Sequence, residues 1–156
     1  MNKQIKLVDI AKIALSMEEK GHKFYSTLAG RVNDVRQKQM LMKLAEDEKE
    51  HKKLFEKIIM DYSDDETLDE ETSSYLNSIQ KDSVFPEPAG VEDFAGGLHS
   101  LKDVVAIGIQ AEKDAILIFH ELTTRTRSEK IKKILYDLLE EEKMHLVELR
   151  NYLEEL

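Results

Sequence analysis

Four stretches of the chain carry apolar residues at alternating steps of three and four, the spacing that places side chains on one face of an α-helix. These stripes predict helices over about residues 6–29, 34–61, 100–123 and 128–154. Short turns join the first helix to the second and the third to the fourth. The pattern therefore predicts an all-α protein built from two helical hairpins.

Residues suited to helix ends stand at the predicted boundaries. Gly30 is placed to cap the carboxyl end of the first helix. The turn Val32-Asn33-Asp34 supplies candidate caps for the second helix, Ser128 is a candidate N-cap of the fourth and Ser100 of the third, because short polar side chains can bond the first free backbone N–H groups. The turns are therefore expected to begin and end close to these positions.

Residues 62–99 separate the two hairpins and differ from them in composition. The segment begins with an acidic run, interpreted as a solvated linker, and continues with a short helix predicted at 74–79. Proline and glycine break any helix at 85–90 and again at 96–97. We expect one domain over residues 1–156, in which this long crossover lets the third helix start at the same end of the bundle as the first.

Each apolar stripe is interrupted by a glutamate where a leucine would fit. In the second helix Glu48 is followed by His51, and in the fourth Glu142 is followed by His145. Residues three apart share a helix face, so both members of each Glu-x-x-His pair are expected to point inward.

The first and third helices carry lone inward glutamates, Glu18 and Glu112, and these complete a repeat. Glu18 and Glu112 are 94 positions apart, and so are the two Glu-x-x-His pairs. The apolar residues around them also coincide at this offset. Such regularity supports a duplicated hairpin over a chance match.

Burying four charged carboxylates is unfavourable unless they are paired or bind metal. Two divalent cations would balance their charge, and each imidazole adds a neutral nitrogen ligand. This set matches the general ligand pattern of di-iron and di-manganese carboxylate bundles. The sequence therefore predicts a two-metal site with iron or manganese favoured, and zinc as an adventitious occupant.

Composition narrows the function classes further. The net charge of −9 argues against nucleic acid or an anionic membrane as a partner. The absence of cysteine excludes disulfides, thiolate zinc sites and iron–sulfur clusters within these residues. No apolar run is long enough to cross a membrane, and the first residues lack the apolar core of a signal peptide. We expect a cytoplasmic protein, with a homodimer as one assembly.

Several neighbours of the six candidate ligands also carry predictions. Tyr25 lies seven residues after Glu18 on the same face, and is interpreted as a hydrogen-bond donor to a ligand carboxylate, with a proton-donor or radical role as the alternative. Phe119 is the equivalent residue in the second half, so the surroundings of the site are expected to be asymmetric. Asp47 and Glu141 are expected to point away from the site and pair with lysines.

Three further residues lie close to the candidate ligands. His22 is expected at the rim of the bundle, outside the site. Gly21 follows Glu18 by one turn, and Ala115 follows Glu112 in the same way. Their small side chains either leave room for a metal, water or oxidant, or simply allow close helix packing.

The chain resembles the rubrerythrin-related branch of the ferritin-like superfamily. The segments that carry the resemblance are 18–25, 48–51, 112–119 and 142–145. The resemblance implies a ferritin-like four-helix bundle that holds a non-haem di-iron centre. It also implies that the two Glu-x-x-His glutamates bridge the irons, that the lone glutamates are terminal ligands, and that each histidine binds one iron.

The resemblance implies an oxidoreductase that cycles between Fe2+ and Fe3+. Such an enzyme reduces hydrogen peroxide or dioxygen, in defence against oxidative stress, with electrons from a rubredoxin-like donor. An iron-binding protein with ferroxidase activity, for sequestration or storage, is the alternative, and a metal-free structural bundle is the third.

Two departures from rubrerythrin proper stand out. Its additional glutamate, one turn from the lone glutamate of the third helix, is replaced by residues that cannot ligate, since the neighbours are Ile109 and Ala115. The usual rubredoxin-type tail is missing, so the electron donor is expected to be a separate protein.

Overall fold

The computed structural model describes residues 5–61, 67–81 and 101–156. Within these ranges the chain forms five helices: α1 (Leu7–Ala29), α2 (Val35–Asp61), α3 (Glu70–Lys81), α4 (Leu101–Arg125) and α5 (Glu129–Glu155). The four long helices form two hairpins, α1 with α2 and α4 with α5, which pack together as one bundle. The predicted all-α architecture is confirmed.

Side chains at the predicted boundaries cap two of these helices. The Gln37 N–H donates to Asp34 Oδ1 at 3.0 Å, and the Ile131 N–H donates to Ser128 Oγ at 3.3 Å. Gly30 caps α1, but its φ of −69° is open to any residue, so the turn does not require glycine. The predicted cap at residue 100 and the predicted breaks at 85–90 and 96–97 lie outside the described residues.

The long helices are amphipathic, and their apolar faces form two core clusters on either side of the bundle's middle. One cluster joins the beginning of α1 and the end of α2 to the end of α4 and the beginning of α5. The other joins the opposite halves of the same helices. Among the described helices, none combines the length and the apolar character needed to span a bilayer.

The third long helix runs in the direction opposite to the one expected. Val104 and Val105, at the beginning of α4, pack in the same cluster as Phe24 and Leu28 near the end of α1. The expectation that both helices start at one end of the bundle is therefore wrong. The apolar stripe did not determine the direction, because a stripe buries the same face whichever way its helix points.

The described part of the crossover is attached to the end of the bundle where α1 begins. The Leu68 N–H donates to the Ile5 carbonyl at 2.9 Å, and an Arg125 guanidinium N–H donates to Thr72 Oγ1 at 3.0 Å. Helix α3 is longer than the predicted 74–79, because Asp69 caps it by accepting from the Thr72 N–H at 2.7 Å. Part of the acidic run thus serves as a helix start rather than only as a solvated linker.

Candidate metal centre

The six predicted ligands meet in the middle of the bundle, between the two core clusters. Their donor atoms form two groups, in each of which all atoms lie within 4.8 Å of one another. The first group consists of Glu18, Glu48, His51 and Glu142, and the second of Glu48, Glu112, Glu142 and His145. None of the six residues is more than 3% exposed. Glu48 and Glu142 belong to both groups, so the groups form one continuous centre.

We name the two halves of this centre after their lone glutamates. The Glu18 position comprises Glu18 and His51 with the two shared glutamates, and the Glu112 position comprises Glu112 and His145 with the same pair. Because α1 and α4 run in opposite directions, a pseudo-two-fold axis across the bundle relates one position to the other. Residues 94 positions apart in the sequence therefore occupy equivalent places in the two halves of the centre.

Both histidine rings turn the same nitrogen towards the centre. His51 Nδ1 lies 2.8 Å from Glu142 Oε1, and His145 Nδ1 lies 3.1 Å from Glu48 Oε1. The two rings are nearly parallel, with centroids 5.7 Å apart and 16° between their planes. Each histidine therefore faces the shared glutamate of the opposite hairpin, and Nδ1 is the nitrogen placed to ligate.

The outward nitrogen of each histidine contacts a second acidic residue. His51 Nε2 donates to Glu141 Oε2 at 2.6 Å, and His145 Nε2 donates to Asp47 Oδ2 at 3.0 Å. The expectation that Asp47 and Glu141 point away from the site is therefore wrong, whereas the expected pairing with a lysine is found for Asp47, which accepts from Lys43 at 3.2 Å. Each of the two acidic residues points away from the ligands of its own helix. Its side chain instead reaches the ligand histidine of an adjacent helix. A carboxylate in this place fixes the ring orientation and leaves the other nitrogen for a metal.

A sequence signal for these outer carboxylates was present. Asp47 directly precedes Glu48, Glu141 directly precedes Glu142, and the two acidic residues are again 94 positions apart. The repeated motif is thus acidic-Glu-x-x-His, one residue longer than the pair that marks the ligands. Single-helix periodicity overlooks it, because the contact is made between helices.

Replacing Glu141 with Gln is expected to weaken binding of a divalent metal by about tenfold, the lower end of the range for such outer partners. The low end applies because the Glu141 side chain is 57% exposed, so water can partly take its place. Titration with Co2+, followed by visible absorbance, measures the change. Glu140→Gln is the matched control, since Glu140 lies on the exposed face of the same helix and pairs with the exposed Lys143. Equal affinities of the two variants would contradict the role given to Glu141.

Burial and mutual repulsion disfavour the charged forms of three of the four inner glutamates. Burial, followed by the charge of Glu142, raises the pKa of Glu18, Glu48 and Glu112 well above the ordinary value. Burial alone would also raise the pKa of Glu142, but the neighbouring Glu112 carboxyl and both histidines lower it well below that value. Keeping these three carboxyl groups charged therefore requires a compensating positive charge in the centre.

The histidines respond in the complementary way. Burial alone would lower the pKa of His51, but contacts with Glu142, Glu48 and Glu141 outweigh it and raise the pKa to about 9. The pKa of His145 is likewise raised, by Glu112, Glu142 and Glu48, against the effect of burial. In the metal-free centre, the two histidines therefore bind protons that offset the charge of the glutamates. A divalent cation would displace these protons.

Unsatisfied oxygen atoms provide a test of whether this donor set suits a metal. Both carboxylate oxygens of Glu18 and the Oε2 atom of Glu142 are buried and make no hydrogen bond with the described residues. Buried polar atoms normally have a partner, so these three call for a ligand. Carboxylates with one imidazole per metal are a donor set for iron, manganese or zinc. The residues present therefore fit a pair of divalent cations.

The remaining predicted neighbours lie partly in the centre and partly outside it. The Tyr25 hydroxyl donates to Glu112 Oε1 at 2.6 Å, across the bundle from its own helix. Burial and the charge of Glu112 raise the pKa of Tyr25, so the phenol keeps its proton. His22 is not brought to the site, since its Nδ1 donates to the Ala45 carbonyl at 2.7 Å.

The small residues after the lone glutamates adjoin the centre. A Cβ atom at Gly21 would lie 2.8 Å from Glu48 Oε2, closer than real contacts allow. Glycine here makes room for a shared carboxylate rather than for helix packing alone. Ala115 and Ile109 lie one turn on either side of Glu112, where the additional glutamate would stand. Both are buried among apolar residues, 5% and 7% exposed.

Comparison with known proteins gives one family and two related folds. The family model named rubrerythrin matches residues 9–153. A crystal structure from Thermotoga maritima, described as a ferritin-like diiron-carboxylate protein, is 25% identical, with a TM-score of 0.81 over 99% of each chain. A hypothetical protein from Pyrococcus furiosus is 19% identical, with a TM-score of 0.69 over 96% of this chain and 89% of that one, and shows the fold alone. No curated protein matches the chain.

Proposed function

Because this chain belongs to the rubrerythrin family, we propose that it is a di-iron oxidoreductase that reduces hydrogen peroxide to water. The electrons come from a rubredoxin-like donor outside these 156 residues, which contain no cysteine for a thiolate-bound iron. Dioxygen is the second oxidant that such a centre would accept. The ferritin-like bundle positions the centre where water is largely excluded.

The observation that carries the proposal is the sharing of Glu48 and Glu142 by both ligand groups. A carboxylate common to two metal positions can bridge them, and two-metal sites hold their ions about 3.5–4 Å apart. Two independent mononuclear sites would have no need to share these side chains. The centre is therefore suited to a reaction that takes two electrons at one place.

When bound, two ferrous ions would supply the two electrons that cleavage of one peroxide O–O bond consumes. The inner glutamates and the Nδ1 atoms of His51 and His145 would hold the ions. The Tyr25 Oη keeps a proton 2.6 Å from Glu112 Oε1, and so fixes that carboxylate. Phe55 and Phe119, both fully buried, pack on each other in the core cluster next to the centre. Two protons taken from solvent complete the conversion of peroxide into two water molecules.

Anaerobic titration with Fe2+, followed by rapid mixing with oxidant, tests the proposal. We expect saturation at two irons per chain, oxidation by peroxide much faster than by dioxygen, and recovery of the ferrous state on adding a reductant. Visible absorbance and an iron count provide the readouts. Fast reaction with dioxygen together with uptake beyond two irons would instead indicate a ferroxidase or storage protein. Failure to bind iron saturably would refute the di-iron assignment itself.

A further inference from the structure

One pair of residues departs from the two-fold symmetry of the centre in a way that touches a ligand. Tyr25 and Phe119 are equivalent residues, 94 positions apart, but only Tyr25 has a hydroxyl. We propose that the two metal positions are unequal, because Tyr25 makes the Glu112 position bind first and more tightly and leaves the Glu18 position weaker and exchangeable. The inference rests on the metal centre of the proposed function, but not on its reaction with peroxide.

On the stronger side, the terminal ligand is held in place. Tyr25 is fully buried, and its hydroxyl donates to Glu112 Oε1 at 2.6 Å. At 2.6 Å this bond is shorter than the common O–H···O distance of about 2.7–2.8 Å. It orients Glu112 before a metal arrives, so less conformational freedom is lost on binding. Tyr25 is thus a positioning residue that acts through Glu112.

On the weaker side, the equivalent ligand has no such support. Glu18 is 1% exposed, and neither of its oxygens accepts a hydrogen bond from an N–H group or from a Ser, Thr or Tyr hydroxyl of the described residues. The nearest positive group is His51 Nδ1, 3.5 Å from Glu18 Oε2, and that nitrogen is itself a candidate ligand. Phe119 offers only its ring, which packs on Phe55 with centroids 4.9 Å apart. Glu18 is therefore the terminal carboxylate that is free to change its binding mode.

The outer carboxylates do not produce this difference. Each histidine has one, at 2.6 Å for His51 and 3.0 Å for His145. Asp47 also accepts from Lys43 at 3.2 Å, which would favour the opposite order. However, Glu141 is more exposed than Asp47, 57% against 31%, so its shorter contact is more open to water. The fully buried bond of Tyr25 is the larger of the competing effects.

Partners that orient a metal ligand typically change metal affinity by about 10–100-fold when they are removed. We therefore expect wild-type protein to bind two Co2+ ions in two steps separated by about that factor. Isothermal titration calorimetry resolves the steps, and the visible spectrum of Co2+ reports the ligands at each step. Co2+ serves as the probe because it binds such donor sets without being oxidised by air during the titration.

The Tyr25→Phe variant removes one oxygen atom and should abolish the difference. We expect its first step to weaken by about 10–100-fold, so that the two steps merge. Tyr136→Phe is the matched control, since Tyr136 is 57% exposed and lies outside the centre. Circular dichroism confirms that both variants fold. An unchanged first step in Tyr25→Phe would overturn the proposal.

Removal of single histidines locates the tighter position. His51→Ala should retain one tightly bound Co2+ in the Glu112 position, whereas His145→Ala should retain one weakly bound ion in the Glu18 position. Adding Tyr25→Phe should weaken binding in the His51→Ala background and leave the His145→Ala background unchanged. A merely structural role of Tyr25 would lower both equally and would refute the inference.

The Phe119→Tyr substitution provides a test in the opposite direction. The added hydroxyl is placed to donate to Glu18, so the second step should strengthen towards the first. Equal affinities in wild-type protein would overturn the inference while leaving the two-metal centre intact. If wild-type protein bound no Co2+ or Fe2+, both this inference and the proposed function would fall. Unequal binding without peroxide turnover would refute only the proposed function.

Discussion

Replacing Glu142 with Gln is expected to eliminate tight binding of both metal ions at once. Glu142 is fully buried, belongs to both ligand groups, and lies within 2.8 Å of His51 Nδ1 and 3.4 Å of His145 Nδ1. Its substitution removes a negative charge shared by two cations and leaves an amide that binds hard cations weakly. We expect the affinity at each position to fall by more than about 100-fold, beyond the effect of an outer partner. Co2+ titration and a metal count after dialysis measure the loss.

Two further variants test whether the loss of metal in Glu142→Gln arises because Glu142 is shared by both positions. Glu18→Gln should reduce the count from two metals to one, because Glu18 belongs to one group only. Glu140→Gln, on the exposed face of the same helix as Glu142, should bind two as the wild type does. If Glu142→Gln retained one tightly bound ion, Glu142 would not be shared between two metals, and the di-iron assignment would lose its main support.

The bundle could be predicted because burial has a simple signature in helices. Stripes at steps of three and four identified the inward faces, and the buried residues of α1 and α5 fall on those stripes. The direction of α4 could not be predicted in this way, because a reversed helix buries the same stripe. The choice depends on contacts between elements, such as the packing of Val105 near Phe24, which no single helix encodes.

The inner ligands could be identified for the same reason. A glutamate in the middle of an apolar stripe is conspicuous, and the repeat of 94 residues favoured a duplicated hairpin over a chance match. Asp47 and Glu141 were assigned to the solvent because each lies one residue from an inward glutamate, which is a turn of about 100° around the helix axis. Their partners are histidines of a neighbouring helix, so the contact depends on the crossing of two helices rather than on the periodicity of one.

Gly21 illustrates a different limit of sequence reasoning. Its position one turn after Glu18 suggested space, but the sequence did not say for what. The structure places Glu48 Oε2 where a side chain would otherwise stand. A residue that is small because a ligand of another helix needs the room cannot be recognised until both helices are in place.

Removing the metals is expected to lower the melting temperature by about 10–20 °C. A ligand at 100 times its Kd stabilises the folded state by about 2.7 kcal/mol, so two ions contribute roughly 5 kcal/mol. For a chain of this size, 1 kcal/mol corresponds to about 2–4 °C. Thermal unfolding with Co2+ and with chelator, followed by circular dichroism, provides the comparison. Unchanged stability on removal of the metal would favour the metal-free structural bundle.

The stability of the metal-free protein and its affinity for metal should both depend on pH, and they should change in opposite directions. The raised pKa of His51, about 9, means that its contribution to the metal-free fold is complete below the unfolded value of 6.5 and is lost as pH rises through 9. The raised pKa values of Glu18 and Glu48 act in the same sense. The lowered pKa of Glu142 contributes stability above its ordinary value of 4.5, and so it changes little in this window.

Metal binding displaces these protons, so affinity for metal rises with pH while the stability of the metal-free form falls. The difference in melting temperature between loaded and metal-free protein is therefore expected to be larger at pH 8.5 than at pH 6.5. Glu142→Gln, which cannot hold the ions, should show no such difference at either pH. Equal stabilisation of the wild type at the two pH values would mean that the cations do not replace protons in this centre, and that the buried carboxylates are charged before metal binds.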